Sequence, residues 1–336
     1  GIRDRSPSRG LGDVYKRQQV YSSSADKTAR VHTVGDGKQV RSLAGHKDWV
    51  YSVAVTPDSK LIATGSYDGE IRIWNAADGK MVRRITNIAE RVYDITFSAD
   101  GKQMAVAAGT PGQIGEIKRF STADGSLQGD LVRSGESVFA VAYSPAGKKL
   151  AAAGADRAIR IYDLASGKQL LAIEDHADWV MDVAWAPDGT KLASASRDKT
   201  SKVFNATTGD SLVTFNSHGQ PVFGVGFSAD GNQVITSGRD KNIRVWNTKD
   251  AKQVRAIGGF GDEVFRVVVA KDGKVYSSSA DKTARIHTVG DGKQVRSLAG
   301  HKDWVYSVAV TPDSKLIATG SYDGEIRIWN AADGKG

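Results

Sequence analysis

Gly45 to Asn75 reads GHKDWVYSVAVTPDSKLIATGSYDGEIRIWN. Val50 to Val55 is a β-rich run, and Thr56-Pro57-Asp58-Ser59 is turn chemistry, with Pro presetting φ and Asp able to bond the local backbone. Leu61 to Ser66 reads as a second strand, closed by the tight turn Tyr67-Asp68-Gly69. Ile71 to Trp74 alternates apolar residues with Arg72, as a strand with one wet face does. After a further turn, Ala76-Ala77-Asp78-Gly79, Met81 to Thr86 makes a fourth. Four short antiparallel strands cannot bury both faces of their sheet alone, so such a unit must stack on copies of itself.

The copies are present. Closing positions corresponding to Trp74 fall at Phe120, Tyr162, Phe204, Trp246, His287 and Trp329, in steps of 46, 42, 42, 42, 41 and 42 residues. With the opening pair Gly45-His46 and the closing pair Trp74-Asn75, this pattern resembles the WD repeat family, although the closing Asp is Asn here. The resemblance spans nearly everything after residue 18. It implies an all-β fold, a β-propeller of four-stranded antiparallel blades around a central channel.

Six complete units follow one another at 45–86, 87–132, 133–173, 174–215, 216–257 and 258–298, and three strands of a seventh occupy 300–330. In the family a strand from the N-terminal side completes the last blade. Gln39-Val40-Arg41-Ser42-Leu43 resembles the fourth strand Met81-Val82-Arg83-Arg84-Ile85, so the expectation is seven blades closed by that strand. Residues 19–33 are then a redundant partial blade, and 34–336 the propeller. The alternative is an eighth, incomplete blade built from 19–44. Residues 20–80 match 275–335 at a constant offset of 255 with one difference, Val31 against Ile286. Other repeats share only scattered positions, so this is a very recent duplication or an assembly error.

Residues 1–18 carry no repeat. Asp13 to Gln18, DVYKRQ, resembles the in-frame translation of a transposon end used in sequencing libraries, so the segment is set aside as a non-native tail, with a natural disordered basic arm as the alternative. It holds five basic and two acidic residues, which accounts for +3 of the net charge of +8. The rest is small for a body this size, and nucleic acid is not the expected partner. Aromatic content of 8% and charged content of 25% exclude a disordered chain. The absence of Cys excludes disulfides and thiolate metal sites. No apolar run approaches the ~20 residues that span a membrane.

His46, Ser66, Asp68 and Trp74 match the family's buried tetrad, in which the resemblance implies that Trp bonds Ser, Ser bonds His and His bonds Asp. His301, Ser321, Asp323 and Trp329 repeat it in full. Other units are eroded: the fourth has Phe204 for Trp, and the fifth has Gly238 where the hydroxyl should be. Ser, His and Asp together invite a hydrolase reading. It is rejected because the Asp sits two residues after the Ser in one hairpin and the group recurs around the ring. Of six His, four stand at the Gly-His position and two at closing positions, so no metal site or cofactor is expected.

The residue after the Val that opens each first strand is Tyr51, Tyr93, Phe139, Met181, Phe223, Phe265 or Tyr306. In the family this position lies near the channel mouth. Trp49, Trp179 and Trp304 stand two residues earlier in their units, and Tyr67, Arg197, Arg239 and Tyr322 stand just before the turn Asp. Aromatics with Arg are the residues that binding hot spots use, and packing at the blade tops is the plain alternative. The expected function is a monomeric, non-catalytic scaffold that binds a protein or peptide on this face. Two alternatives stand beside it. One is the propeller part of a larger enzyme or signalling protein; the other is a channel-site hydrolase, for which Glu263 and Asp182 are the acids to consider. The insertion Gly109–Gly115, GTPGQIG, is expected to project as a loop.

Overall fold

The computed structural model describes residues 19–23, 26–33, 39–310, 314–323 and 325–335; the proposed tail at 1–18 lies outside them. Among the described residues every regular element is a strand. An N-terminal sheet holds β1 (Gln19–Ser23), β2 (Thr28–Thr33) and β3 (Gln39–Ala44). Blade 1 holds β4 (Val50–Val55), β5 (Leu61–Ser66), β6 (Ile71–Asn75) and β7 (Met81–Ile85). Blade 2 holds β8 (Arg91–Phe97), β9 (Gln103–Thr110), β10 (Ile114–Ser121) and β11 (Leu127–Ser134). Blade 3 holds β12 (Val138–Tyr143), β13 (Lys149–Gly154), β14 (Ile159–Asp163) and β15 (Gln169–Ile173). Blade 4 holds β16 (Val180–Trp185), β17 (Lys191–Ser196), β18 (Ser201–Asn205) and β19 (Ser211–Phe215). Blade 5 holds β20 (Val222–Phe227), β21 (Gln233–Gly238), β22 (Ile243–Asn247) and β23 (Gln253–Ile257). Blade 6 holds β24 (Val264–Val269), β25 (Lys274–Ser279), β26 (Thr283–Thr288) and β27 (Gln294–Ala299). Blade 7 has β28 (Val305–Val310), β29 (Leu316–Ser321) and β30 (Ile326–Asn330).

From blade 1 round to blade 7 the first strand of each blade packs beside the first strand of the next, and at the seam β4 packs against β1, so seven inner strands line the channel of a propeller. The turns form as their residues dictate. Ser59 N–H bonds Thr56 O at 2.8 Å, and Asp58 Oδ1 accepts the Lys60 N–H at 3.1 Å. Cores form between blades, not within them: Ile71, Ile73 and Ile85 of blade 1 bury against Val92, Ile95 and Phe97 of blade 2.

The ring is closed from the N-terminal side, but not by the expected strand exchange. β3 pairs with β2, with Ala29 opposite Leu43 and Val31 opposite Arg41, and does not reach β30. A hairpin to the preceding strand closes a short loop; pairing with β30 would close one of nearly the whole chain, at greater entropic cost. The whole N-terminal sheet fills the gap instead. Ala29, Val31 and Leu43 share one buried cluster with Val50, Val53 and Trp74 of blade 1 and with Ala318 and Ile328 of blade 7. Arg41 also donates to the Ala76 carbonyl of blade 1 at 3.3 Å, as Arg255 donates to Asp291 O at 2.9 Å between blades 5 and 6. β1 and β2 are therefore working parts of the ring, together with β3.

The insertion in blade 2 does not project as a loop. It lengthens the hairpin: β9 and β10 pair without a break from Gln103–Ser121 to Thr110–Ile114. The turn left over is residues 111–113, with Gln113 N–H on Thr110 O at 3.0 Å and Gly112 at φ 70°. Extending the ladder pairs backbone groups that a loop would leave to water.

Candidate functional site

The candidate face is built by two recurring backbone features. In each inner strand the register shifts at one residue, between Val50 and Ser52, Val92 and Asp94, Val138 and Ala140, Val180 and Asp182, Val222 and Gly224, Val264 and Arg266, and Val305 and Ser307. The residue skipped is Tyr51, Tyr93, Phe139, Met181, Phe223, Phe265 or Tyr306. A bulge leaves its extra residue unpaired and re-aims the side chain. The aromatic positions are thus the bulge positions, all at the same end of the strands.

The second feature joins the outer residues to them. Tyr67 N–H donates to Trp49 O, Arg197 N–H to Trp179 O and Tyr322 N–H to Trp304 O, each at 2.9 Å, and Arg239 N–H donates to Pro221 O at 2.8 Å. This bond holds the residue before the turn Asp against the segment entering the inner strand, so two stretches eighteen residues apart form one surface.

The rings meet across blades. Trp179, Phe139, Tyr93 and Tyr51 follow one another at centroid distances of 5.4, 5.3 and 6.0 Å. Tyr67 stacks on Tyr51 at 5.1 Å and on Trp49 at 6.1 Å. Trp49 crosses the seam to Tyr322 at 5.9 Å, and the chain continues through Tyr306, Phe265 and Phe223 at 5.9, 4.5 and 6.2 Å. Trp304 joins it through Tyr322 and Phe265, at 6.1 Å from each. The belt opens only between Trp179 and Phe223, where Met181 stands. Trp49, Tyr51, Trp179, Trp304, Tyr306 and Tyr322 are exposed; Tyr67, Phe139, Phe223 and Phe265 are half-buried. Tyr93, at 8% exposure, supports the rings beside it and offers little surface of its own.

The two arginines are already positioned. Arg197 lies 4.2 Å over the Trp179 ring and 3.5 Å from Asp178, and Arg239 pairs with Glu263 at 2.6 Å. At the seam, Trp49, Tyr51, Tyr67, Tyr306 and Tyr322 line a cleft of about 220 Å³ with Ser23 and Arg266. Burial and neighbouring phenols push the Tyr67 hydroxyl up and Tyr306 up to about 12, so both remain protonated donors at neutral pH.

Below the aromatic ring, the next residue binds the neighbouring blade in three of the inner strands. Ser52 Oγ accepts Ile95 N–H at 3.0 Å, Asp94 Oδ2 accepts Val141 N–H at 3.0 Å, and Asp182 Oδ2 accepts Val225 N–H at 3.3 Å. Arg266 reaches to 3.9 Å from Asp182 across blade 5, where Gly224 has no side chain to block it. The sequence reading picked Asp182 and Glu263 and missed Asp94, which is fully buried at the same strand position as Asp182. Its signal was its place directly after the aromatic bulge residue.

The tetrad needs one correction in every copy. The hydroxyl between Trp and His is Thr64, not Ser66. Trp74 Nε1–H donates to Thr64 Oγ1 at 2.9 Å, Thr64 faces His46 Nε2 at 2.8 Å, and His46 Nδ1 lies 3.0 Å from Asp68 Oδ2. Asp68 accepts at Nδ1–H, so Nε2 is the acceptor of the Thr64 hydroxyl. Ser66 instead donates to Asp48 O at 3.0 Å and accepts Asp68 N–H at 3.1 Å. The reason is register. Ile62 is opposite Trp74, which puts Thr64 on the diagonal and Ser66 four residues away, about 13 Å along the strand. Blade 7 uses Thr319 in place of Ser321 in the same way, with Trp329 at 2.8 Å and His301 at 2.7 Å. In blade 5 the hydroxyl is present after all, as Thr236 at 2.7 Å from His218. Its break is at the indole: Trp246 stacks flat on Phe215 at 5.0 Å, and its N–H finds no partner among the described residues.

Burial lowers the His46 and His301 pKa values against the opposing pull of Asp68 and Asp323, which keeps both rings neutral. His46, Asp68 and Glu70 bring three possible metal ligands within 4.8 Å, as do His301, Asp323 and Glu325. In blade 1 these groups are committed: His46 Nδ1 to Asp68, and Glu70 to Arg72 and Arg84.

Inner strands bulged toward one end, interblade cores and a His–hydroxyl–Trp fastening define a repeat propeller. Five segments, residues 37–75, 125–163, 167–205, 209–247 and 292–330, match the family model described as WD domain, G-beta repeat. They cover more than half of the chain, which therefore belongs to the WD repeat family. Each runs from an outermost strand through the first three strands of the next blade. A stretch of 62 residues is also 36% identical to Nuclear distribution protein PAC1 of Coccidioides posadasii (strain C735), covering 18% of this chain and 13% of that protein. Propellers of this family are typically protein-interaction scaffolds. No helix among the described residues is long and apolar enough to cross a membrane.

Proposed function

We propose that this propeller is a non-catalytic scaffold that binds a protein or peptide across the aromatic end face. The observation that carries the reading is the use of all seven bulges to aim side chains at one end, six of them aromatic. Exposed Trp and Tyr in contact with one another, with Arg197 and Arg239 beside them, form a surface of the composition that interface hot spots use. An aromatic patch this continuous is also larger than scattered surface apolar residues need explain. The acids near the channel support the non-catalytic reading: Asp182 and Asp94 hold backbone N–H groups of adjacent blades, and Glu263 holds Arg239.

The test is affinity capture with the intact ring beside a variant carrying Trp49→Ala, Trp179→Ala, Arg197→Ala and Arg239→Ala. Melting curves within a few degrees of each other establish that both rings are folded. Loss of the captured partners from the variant is the expected result. Equal recovery by both proteins would overturn the assignment of this face.

A further inference from the structure

Four turns on the aromatic end face put a cation where glycine is the less strained residue. Between the second and third strands of blades 3 to 6, the residue after the turn Asp is Arg157, Lys199, Lys241 or Lys282, at φ of 68°, 73°, 63° and 69°. Blade 1 has Gly69 in that place, at φ 74°. The Asp side chain sets the conformation by accepting the N–H two residues on: Thr200 on Asp198 at 2.9 Å and Thr283 on Asp281 at 3.0 Å, as Glu70 on Asp68 at 3.0 Å in blade 1. The left-handed region penalises a residue with a Cβ. A strained position held by a cation in four successive blades points to a use for the cation.

The turn acids do not neutralise these cations. Asp156 pairs with Arg160 at 2.6 Å, Asp198 with His176 at 2.7 Å, Asp240 with Arg244 at 2.9 Å and Asp281 with Arg285 at 2.7 Å, so each carboxylate is spent within its blade. Arg157, Lys199 and Lys282 are exposed, and among the described residues their side chains make no hydrogen bond or ion pair. Lys241 lies 3.8 Å from Asp262 and donates to Gly261 O at 2.8 Å. Arg197 and Arg239 are paired with Asp178 and Glu263. Residues 216–221, NSHGQP, which lead from blade 4 into blade 5, hold no acid. The aromatic belt opens in this same sector, at Met181.

Resting on the reading of this end as the binding face, we propose that an acidic, extended segment of a partner protein lies along the turns of blades 3 to 6, its carboxylates meeting Arg157, Lys199, Lys241 and Lys282. The pattern of charge favours a peptide over a nucleic acid. Asp178, Asp262 and Glu263 stand in the same sector and repel a continuous phosphate backbone, whereas carboxylates spaced along a peptide can meet separate cations.

The probe is a fluorescein-labelled Glu-Gly repeat peptide with six glutamates, titrated into the full chain, with the Gln-Gly peptide as control. Saturable binding that weakens as salt rises from about 50 to about 300 mM is expected, with none to the control. The protein carrying Arg157→Asn, Lys199→Asn, Lys241→Asn and Lys282→Asn should bind about tenfold more weakly at an unchanged melt, since Asn accepts the left-handed conformation. Lys199→Gly with Lys282→Gly should be at least as stable as the parent and still bind several-fold more weakly. Lys199→Arg with Lys282→Arg should bind as the parent does. Equal affinities of the parent and the Asn protein would overturn the proposal, as would absence of saturation up to about 1 mM. So would a single-stranded DNA oligonucleotide that binds the parent more tightly than the peptide, because nucleic acid would then be the occupant. Affinity capture separates the ligand class from the face. Partners lost from the Trp49, Trp179, Arg197 and Arg239 variant but kept by the Asn protein would overturn the acidic ligand and leave the face standing. Partners kept by both would overturn the two together.

Discussion

Trp74 and Thr64 share a hydrogen bond, indole N–H to hydroxyl at 2.9 Å, and Thr64 passes it on to His46 at 2.8 Å. All three side chains are buried. Thr64→Val keeps the shape and strands both partners, and should cost about 2 kcal/mol. A double-mutant cycle separates this from the neighbouring serine. Thr64→Val with Trp74→Phe should show coupling of about 1 kcal/mol, and Ser66→Ala with Trp74→Phe close to none. Coupling to Ser66 and not to Thr64 would reverse the assignment.

His287 fills the closing position of blade 6, and burial, with Arg285 nearby, holds its pKa down to about 4. The unfolded chain takes up the proton near pH 6.5, the folded chain only near 4. The contribution to stability is therefore complete above 6.5 and is lost as pH falls toward 4. At pH 5 the loss from this residue is roughly 2 kcal/mol. His46, His301 and His32 are shifted in the same direction. Melts at pH 7.5 and 5.0 should differ, and His287→Phe should narrow the difference without removing it. Parallel pH profiles for the two proteins would show that the ring is not buried neutral.

Gly115 of the lengthened hairpin has no room for a side chain: a Cβ there would lie 1.8 Å from the Glu136 carbonyl oxygen. Gly115→Ala should destabilise the protein by about 2–3 kcal/mol in urea, through forced movement of backbone. Gly112 at the tip has nothing within 4 Å and a φ of 70°. Gly112→Asn should be nearly neutral, since Asn tolerates that conformation. Equal costs at the two positions would mean that the hairpin is not packed on blade 3.

Gly69 and Lys199 occupy the same place in the tight turns of blades 1 and 4, at φ of 74° and 73°. The left-handed conformation costs a residue with a side chain about 1–2 kcal/mol, and glycine gives back about 0.4–1 kcal/mol through the unfolded chain. Lys199→Gly should stabilise by about 0.5 kcal/mol in equilibrium denaturation. A decrease in stability would show that the lysine makes compensating contacts in this turn.

Much of the architecture could be read from the chain. The turn at Thr56–Ser59 and the closing aromatics are local signals, and they placed the strands of every blade. The site was legible only in part. Tyr51 and its counterparts were visible as a column of aromatics, but the bulge that turns them outward is a mismatch between two strands. Thr64 and Ser66 lie on one face of β5 because strand periodicity is two, so a motif alone could not choose between them; the register with Trp74 does. Asp94 carried no mark apart from its neighbour Tyr93.

Residues 45–80 and 300–335 show where the division falls. Their shared sequence determined three strands and the His–Thr–Trp fastening in both places, because those depend on nearby residues and short loops. The environment of Glu70 and of Glu325 was decided by the tertiary structure. One is clamped beneath Arg84 and the other stands half in water, because burial and charge pairing are set by the strand alongside. The same holds at the seam, where β3 stayed with β2 and the whole N-terminal sheet, packed on both neighbours, closes the ring.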